Sequence, residues 1–230
     1  MPQNGIHAIV GIAARKKKKK KEWLLLGVVL GNMFPDLDNL VTAYATLALG
    51  QPSDQAAEIY HRTFTHSVFT IVAMVILFYI IAAVTKNEKW KNFGVGFGVG
   101  ILLHILVDLV LWFNGVPLFW PFGSELNFWS GVTVPTWLKI ILDTGEFLAF
   151  GLYFMLLVSL SQRHTTDVTR QNSTRIWAYI EFALFVLFTV LFFAIGTKGL
   201  HYQVFGALYL ISLIVGMTIT ARMKDTVEAP

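Results

Sequence analysis

Long apolar runs dominate this chain and restrict what it can fold into. The five longest, each about 18–24 residues, are Ser67–Val84, Phe93–Phe113, Trp137–Leu160, Ile176–Ile195 and Val204–Ala221. A helix needs about 20 residues to cross roughly 30 Å of hydrocarbon, so each run is long enough to span a bilayer. A chain with 55% hydrophobic and 14% charged residues is also unlike a soluble domain. We therefore predict an all-α fold: a polytopic membrane helix bundle that forms a single domain over residues 1–230.

The N-terminal region is apolar but interrupted. Trp23–Phe34 is too short to span, and Pro35 separates it from the moderately apolar Leu40–Leu49. We predict a broken helix whose interruption carries Asp36 and Asp38, because irregular backbone at membrane depth is tolerated only where protein or a cavity surrounds it. The alternative is an ordinary helix restart at the bilayer surface, with one of these aspartates as its N-cap.

Histidines and aspartates lie within or beside the apolar segments, one of them on an additional short apolar helix at the N-terminus. A charge at the centre of a membrane helix costs about 2.5–3.5 kcal/mol on insertion scales, so such residues usually serve a function. We predict that six of them are metal ligands: His7, Asp36, His61, His66, His104 and Asp108. Because the chain has no cysteine, nitrogen and oxygen must hold the ion. We expect a divalent metal, zinc first and manganese, iron or magnesium as alternatives.

One long apolar run combines a candidate ligand pair with a regular glycine pattern. His104 and Asp108 are four residues apart and share a helix face. They can bind one ion, or form a self-satisfied hydrogen-bonded pair at a polar helix interface. Alternate positions earlier in the same run are occupied by Gly94, Gly96, Gly98 and Gly100. These form two overlapping small-xxx-small patterns, which predict close helix packing.

Four ionisable residues are candidates for catalysis: Asp38, Arg62, Asp143 and Glu146. Any of the three carboxylates can act as a general base or orient a ligand histidine from behind. Arg62 can hold a phosphate or carboxylate group with two hydrogen bonds. The alternatives are a pairing of Asp143 with Lys139, and an Arg62 that extends to the membrane interface.

The distribution of basic residues predicts the orientation in the membrane. Arg15–Lys21 is a run of seven basic residues, which we expect to bind anionic lipid head groups and not nucleic acid, since no RNA-binding pattern accompanies it. If the five runs alternate in direction, 15 of the 18 Lys and Arg residues fall on one side. The positive-inside rule makes that side the cytoplasm and places both the basic run and the C-terminus there. The candidate site residues then share one level, from the midplane to the outer half of an inner or plasma membrane.

Taken in order, these motifs resemble one family. His7, Pro35–Asp38, His61–Ser67, the His104 and Asp108 pair and Gly115–Phe122 are similar to the YdjM-type family of inner-membrane-associated, LexA-binding, metal-dependent hydrolases. The resemblance covers roughly residues 1–125 and implies a metal-site region there, with further transmembrane helices in 126–230. A looser similarity connects the pattern to zinc-dependent phospholipases C, where histidines and aspartates from several helices hold a cluster of metal ions. The basic run is a departure from the family pattern.

Three functions agree with these features. The leading hypothesis, which the resemblance supports, is a membrane-bound metal-dependent hydrolase of a phosphoester or lipid-derived substrate, with membrane lipids as partners. An ion-coupled membrane transporter is the alternative, because secondary transporters also bind ions at broken helices with midplane carboxylates. The third is a regulatory membrane protein whose metal site is structural.

Overall fold

A computed structural model describes residues 4–14 and 21–229. Within these ranges the chain is helical and has no β-strand, which confirms the predicted all-α class. The helices are α1 (Asn4–Ala13), α2 (Leu24–Met33), α3 (Asn39–Ala48), α4 (Ser53–Tyr60), α5 (Val68–Thr85), α6 (Lys89–Leu111), α7 (Thr136–His164), α8 (Gln171–Ile195), α9 (Leu200–Arg222) and α10 (Lys224–Val227).

Five helices, α5 to α9, are long and apolar enough to cross a membrane. Each coincides with one of the apolar runs to within a few residues, so the prediction of five candidate spans is confirmed. Most of the basic run, residues 15–20, lies outside the described residues. Its contact with anionic lipid and the cytoplasmic position of the termini stay predictions.

Helices α2 and α3 form the predicted broken helix. A 3-10 turn at Pro35–Asp38 separates them, and the two segments meet at an angle of 40°. Asp38 occupies the position just before α3, but its carboxylate accepts no bond from the first N–H groups of that helix. The alternative of an ordinary capped restart is therefore wrong, and both aspartates of the turn are used elsewhere.

Glycines allow α2 and α6 to pack with their backbones in contact. A Cβ atom placed on Gly96 of α6 would lie 2.1 Å from the carbonyl oxygen of Leu24. Conversely, a Cβ atom placed on Gly31 of α2 would lie 2.2 Å from the carbonyl oxygen of Phe97. No side chain fits at such distances without a shift of the backbone. This contact confirms the packing that the small-xxx-small patterns predict.

The other two glycines of the pattern face α5. A Cβ atom on Gly94 would lie 2.5 Å from Cβ of Phe78, and one on Gly98 would lie 2.6 Å from Cγ2 of Val75. Helix α6 is therefore held closely on two sides. Because neither contact depends on a long flexible side chain, the direction in which α6 presents its polar residues is fixed.

The short helix α1 is buried although it is too short to span a membrane. Its Ala8 and Ile12 belong to an apolar core that also contains Met33 of α2 and Phe150 of α7. At Gly5 the helix meets the backbone of α7, where an added Cβ atom would lie 2.2 Å from the carbonyl carbon of Ala149. These contacts hold α1 inside the bundle, next to α2 and α7.

The glycine contact gives a stability prediction. We expect Gly96→Ala to lower the free energy of unfolding by about 1–3 kcal/mol, since the new methyl group overlaps the Leu24 carbonyl and forces the helices apart. Thermal unfolding in detergent measures the effect. Gly206→Ala in α9 is the matched control, because a Cβ atom there meets nothing within 4 Å. Equal unfolding temperatures for the two variants would contradict this account.

Candidate metal centre

Four elements bring five of the six predicted ligands into one buried cluster. His7 comes from α1, Asp36 from the turn that breaks α2 and α3, and His66 from the 3-10 turn before α5. His104 and Asp108 come from α6. All five side chains are buried, with at most 1% exposure. We call these five residues the ligand cluster.

The ring of His104 is oriented by a backbone group. Its Nδ1 lies 2.8 Å from the carbonyl oxygen of Asn32, and because a carbonyl only accepts, Nδ1 must carry the proton. In the neutral ring, Nε2 then carries a lone pair, and this nitrogen lies 3.1 Å from Nε2 of His66. The distance from Nε2 to Oδ2 of Asp108 is 3.7 Å, which is too long for a hydrogen bond. The alternative of a self-satisfied histidine–aspartate pair is therefore wrong.

Two carboxylate oxygens complete the arrangement of ligand atoms. Oδ1 of Asp36 lies 3.8 Å from Nε2 of both His66 and His104. Oδ2 of Asp108 lies 3.6 Å and 3.7 Å from the same two nitrogens. Neither oxygen has a hydrogen-bond partner within the described part of the chain. Five of the six separations among these four atoms are therefore 3.1–3.8 Å, close to the roughly 3.3 Å between ligands of a tetrahedral zinc site with bonds of about 2.0–2.1 Å. Ligand atoms of Asp36, His66 and His104 all lie within 4.8 Å of one another.

His7 lies on the other side of Asp108. Its Nε2 is 3.1 Å from Oδ1 of Asp108, and its ring stacks on that of His104 with 3.8 Å between centroids. Ligand atoms of these three residues lie within 4.8 Å of one another. When Nε2 is protonated, His7 holds Asp108 in place; when it is not, the two residues can bind a second ion through the other carboxylate oxygen.

Asp38 organises the segment that carries His66. Its carboxylate accepts hydrogen bonds from Nδ1 of His61 at 2.7 Å, from Oγ1 of Thr65 at 2.7 Å and from the N–H of Arg62 at 2.9 Å. Nδ1 of His66 lies 3.4 Å from the same carboxylate. Of the two roles predicted for Asp38, these contacts favour orientation of the ligand histidine.

His61 lies behind the ligand cluster. Its side chain is 13% exposed whereas that of His66 is 0% exposed, but the ring nitrogen Nε2 of His61 is itself buried. Nδ1 is bonded to Asp38, and Nε2 has no partner within residues 4–14 and 21–229. Burial lowers the pKa of His61 from its ordinary value, against the opposing effect of the Asp38 carboxylate. His61 also forms a group with Asp36 and Asp38 that can hold an ion, so its role as a ligand stays a prediction.

Arg62 is buried beside the cluster and does not extend to the membrane interface. The residue is 5% exposed, its Nη2 lies 3.5 Å from Oδ2 of Asp108, and its guanidinium lies over the ring of Trp112 at 5.5 Å. None of its guanidinium nitrogens has a hydrogen-bond partner among the described residues. The backbone φ of 60° is uncommon for a residue other than glycine. A buried cation with unused donors is suited to bind an anion.

Neither Glu146 nor Asp143, which both belong to α7, supplies one of the four converging ligand atoms of Asp36, His66, His104 and Asp108. Both oxygens of Glu146 accept from the N–H of Asn4, at 2.9 and 3.0 Å, and so cap the N-terminus of α1. Asn4 links Glu146 to the cluster, because its side-chain amide donates to Oδ2 of Asp36 at 2.7 Å. Asp143 is buried one turn earlier, and neither carboxylate belongs to an ion-holding group in the described ranges. Their catalytic roles stay predictions.

Sequence reasoning missed two asparagines that position the ligands. Asn32 supplies the carbonyl that binds His104, and its side-chain amide donates to the carbonyl oxygen of His7 at 2.7 Å. Asn4 binds Asp36 and, through the same amide nitrogen, the hydroxyl of Tyr209 at 2.7 Å. The available signal for Asn32 was its position as a lone polar residue in an apolar run.

Comparison with known proteins gives one match. A family model described as YdjM inner membrane protein matches residues 4–199. This range contains the whole ligand cluster and extends well beyond the residues that carry the sequence resemblance. No curated protein and no solved structure matches the chain.

Metal content tests the assignment of the cluster. We expect His104→Ala and Asp108→Asn each to lower the metal that copurifies with the protein at least tenfold, since each removes one of the four converging ligand atoms. Elemental analysis of protein purified in detergent measures this. His164→Ala, at the end of α7, is the matched control and should retain the metal. Loss of metal in the control, or full retention in both cluster variants, would contradict the assignment.

Proposed function

Because the chain belongs to the YdjM family of inner membrane proteins, we propose that its ligand cluster is the centre of a membrane-bound hydrolase that uses a divalent metal and acts on phosphoesters. One observation carries the proposal. A buried guanidinium with unused donors lies 3.5 Å from a carboxylate oxygen that itself belongs to the set of converging ligand atoms. The candidate metal ligands and the candidate anion-binding group are thus neighbours.

The four atoms that converge in the cluster would hold the ion: Oδ1 of Asp36, Nε2 of His66, Nε2 of His104 and Oδ2 of Asp108. Zinc is our first choice because imidazole and carboxylate ligands at these separations suit it. When bound, a divalent cation supplies Lewis-acid activation of water and of a phosphoryl oxygen.

Arg62 would bind the substrate phosphate. Its planar group can donate two parallel hydrogen bonds to phosphoryl oxygens. As the negative charge redistributes in the transition state, the same donors stabilise it in a water-poor site. The cation–π contact with Trp112 and the hydrogen bond from the Arg62 N–H to Asp38 keep the guanidinium at this position.

His61 and Asp38 would handle the proton. Because Nδ1 of His61 donates to Asp38, Nε2 is left as a base. Hydrolysis forms a bond from the water oxygen to phosphorus and breaks the bond from phosphorus to the ester oxygen. One proton of the water passes by way of His61 to the departing alcohol, and the other stays on the phosphate product.

The broken helix favours ion-coupled transport as a second candidate. Asp36 lies at the 40° bend between α2 and α3, where transporters commonly bind their ions. The two functions differ in what happens to the ion, because a transported ion must leave its site in each cycle. Metal that remains through prolonged dialysis against metal-free buffer supports the hydrolase, whereas rapid loss combined with ion flux in proteoliposomes supports transport.

Arg62 can be tested by a substitution that adds no backbone strain. Arg62→Gly removes the guanidinium and accommodates the positive φ of 60°, and we expect it to lower kcat/KM for a phosphoester about 10²–10³-fold while metal content is unchanged. Arg62→Lys, which keeps the charge and loses the paired donors, should recover only part of this activity. An Arg62→Gly enzyme with wild-type kinetics would exclude the proposed role.

His61 distinguishes a base from a ligand. We expect His61→Gln to lower kcat about 10²–10⁴-fold with little change in metal content, since it removes the proton acceptor and none of the four converging atoms. The pH–rate profile should also lose its acidic limb. His66→Gln is the comparison and should lose activity and metal together. If His61→Gln loses the metal as well, His61 is a ligand and the proposed proton path is wrong.

A further inference from the structure

A cavity of about 180 Å³ adjoins the ligand cluster. It touches His7 and Asp108, which are members of the cluster. Its other lining side chains are apolar and come from α1, from α6 and its C-terminal end, and from α7: Ile6, Val107, Leu111, Trp112 and Leu142. Of these apolar residues, the mechanism proposed above uses Trp112 alone, as the neighbour of the Arg62 guanidinium.

Trp112 connects the cavity with the anion-binding group. Its side chain lines the cavity, and the guanidinium of Arg62 lies 5.5 Å from the centre of its ring. The same guanidinium is 3.5 Å from Asp108, which also lines the cavity. One region therefore joins a cation, a carboxylate of the ligand cluster and an extended apolar wall. A ligand that uses all three must be amphiphilic.

The apolar wall reaches the outer surface of two helices that are candidates to span the membrane. Val107 and Leu111 belong to α6 and Leu142 to α7, both of which are long and apolar enough to span. Leu111 lines the cavity and is also 53% exposed. An alkyl chain can therefore pass from surrounding hydrocarbon into the cavity and stay in an apolar environment.

We propose that the cavity binds the alkyl chain of a single-chain amphiphilic phosphoester whose phosphate reaches Arg62. This inference rests on the proposed function and names its substrate class. Sites that enclose whole small ligands measure about 300–1,000 Å³. The smaller cavity here holds the part of the chain nearest the phosphate, and the rest lies in the bilayer.

Cross-linking tests where the chain binds, and does so without hydrolysis. The probe is dodecyl phosphate with a photoreactive diazirine on an early carbon of its chain, added to the full-length protein in lipid nanodiscs. We expect labelled peptides that contain Ile6, Leu111 or Leu142, and we expect excess dodecyl phosphate to suppress them while dodecanol does not. Equal labelling of the exposed lipid-facing Val186 in α8, or labels that the competitor leaves unchanged, would overturn the inference.

Two neighbouring positions in α7 provide a matched pair of variants. Leu142→Trp fills the cavity, whereas Ile141→Trp places the same side chain at a position that is 37% exposed and outside the cavity lining. We expect Leu142→Trp to lower the ratio of kcat/KM for dodecyl phosphate to that for ethyl phosphate at least tenfold, and Ile141→Trp to change it less than twofold. Leu111→Trp serves as a second cavity variant if Leu142→Trp fails to fold. An unchanged ratio in a folded cavity variant would refute the inference.

The two proposals fail in different ways. If the wild-type protein is cross-linked in the cavity but hydrolyses no phosphoester, the proposed function is wrong and the chain-binding cavity stands. If it hydrolyses ethyl and dodecyl phosphate equally well and the cavity peptides stay unlabelled, the hydrolase stands and the chain-binding cavity is wrong.

Discussion

The close contact between α2 and α6 sets the geometry on which the ligand cluster depends. Gly31 lies so near the backbone of α6 that the next residue, Asn32, places its carbonyl oxygen 2.8 Å from Nδ1 of His104. That bond determines which nitrogen of His104 carries the proton and turns the other toward His66. The side chain of Asn32 also binds the carbonyl of His7, so one residue positions two histidines. A larger side chain between α2 and α6 would move Asn32, His7 and His104 apart.

The net charge of the buried residues around the cluster suits a divalent cation, and this accounts for charged residues in so apolar a chain. Asp36, Asp38 and Asp108 are buried, and Arg62 is the buried cation beside them. When all four are ionised they leave a net charge of −2, which a divalent cation would neutralise. Without it, Oδ1 of Asp36 and Oδ2 of Asp108 have no hydrogen-bond partner in the described residues, and a buried carboxylate oxygen in that state is costly. A cation held there would therefore stabilise the fold as well as supply the proposed chemistry.

The sequence predicted the elements and which buried histidines and aspartates to examine together, but few of the contacts between them. Runs of apolar residues identify the spans, and histidines and aspartates are rare enough in such runs to stand out. The turn after Pro35 was predicted, but the partners of Asp36 and Asp38 were not, because they lie 23 to 32 residues away in the chain. Glu146 looked like a catalytic carboxylate, and its position at the end of α1 depends on tertiary packing that no spacing rule encodes. Asn4 carries no signal of its own.

Helices α7 and α9 contribute to the cluster although none of the four converging atoms comes from them. Glu146 of α7 fixes the first N–H of α1, and Tyr209 of α9 shares the amide of Asn4 with Asp36. Because Asn4 engages Oδ2 of Asp36, the other oxygen is left to face the histidines. The C-terminal spans therefore orient a ligand that the N-terminal half supplies. The same α7 contributes Leu142 to the apolar cavity, so one helix orients a proposed metal ligand and also forms part of the wall of the proposed substrate cavity.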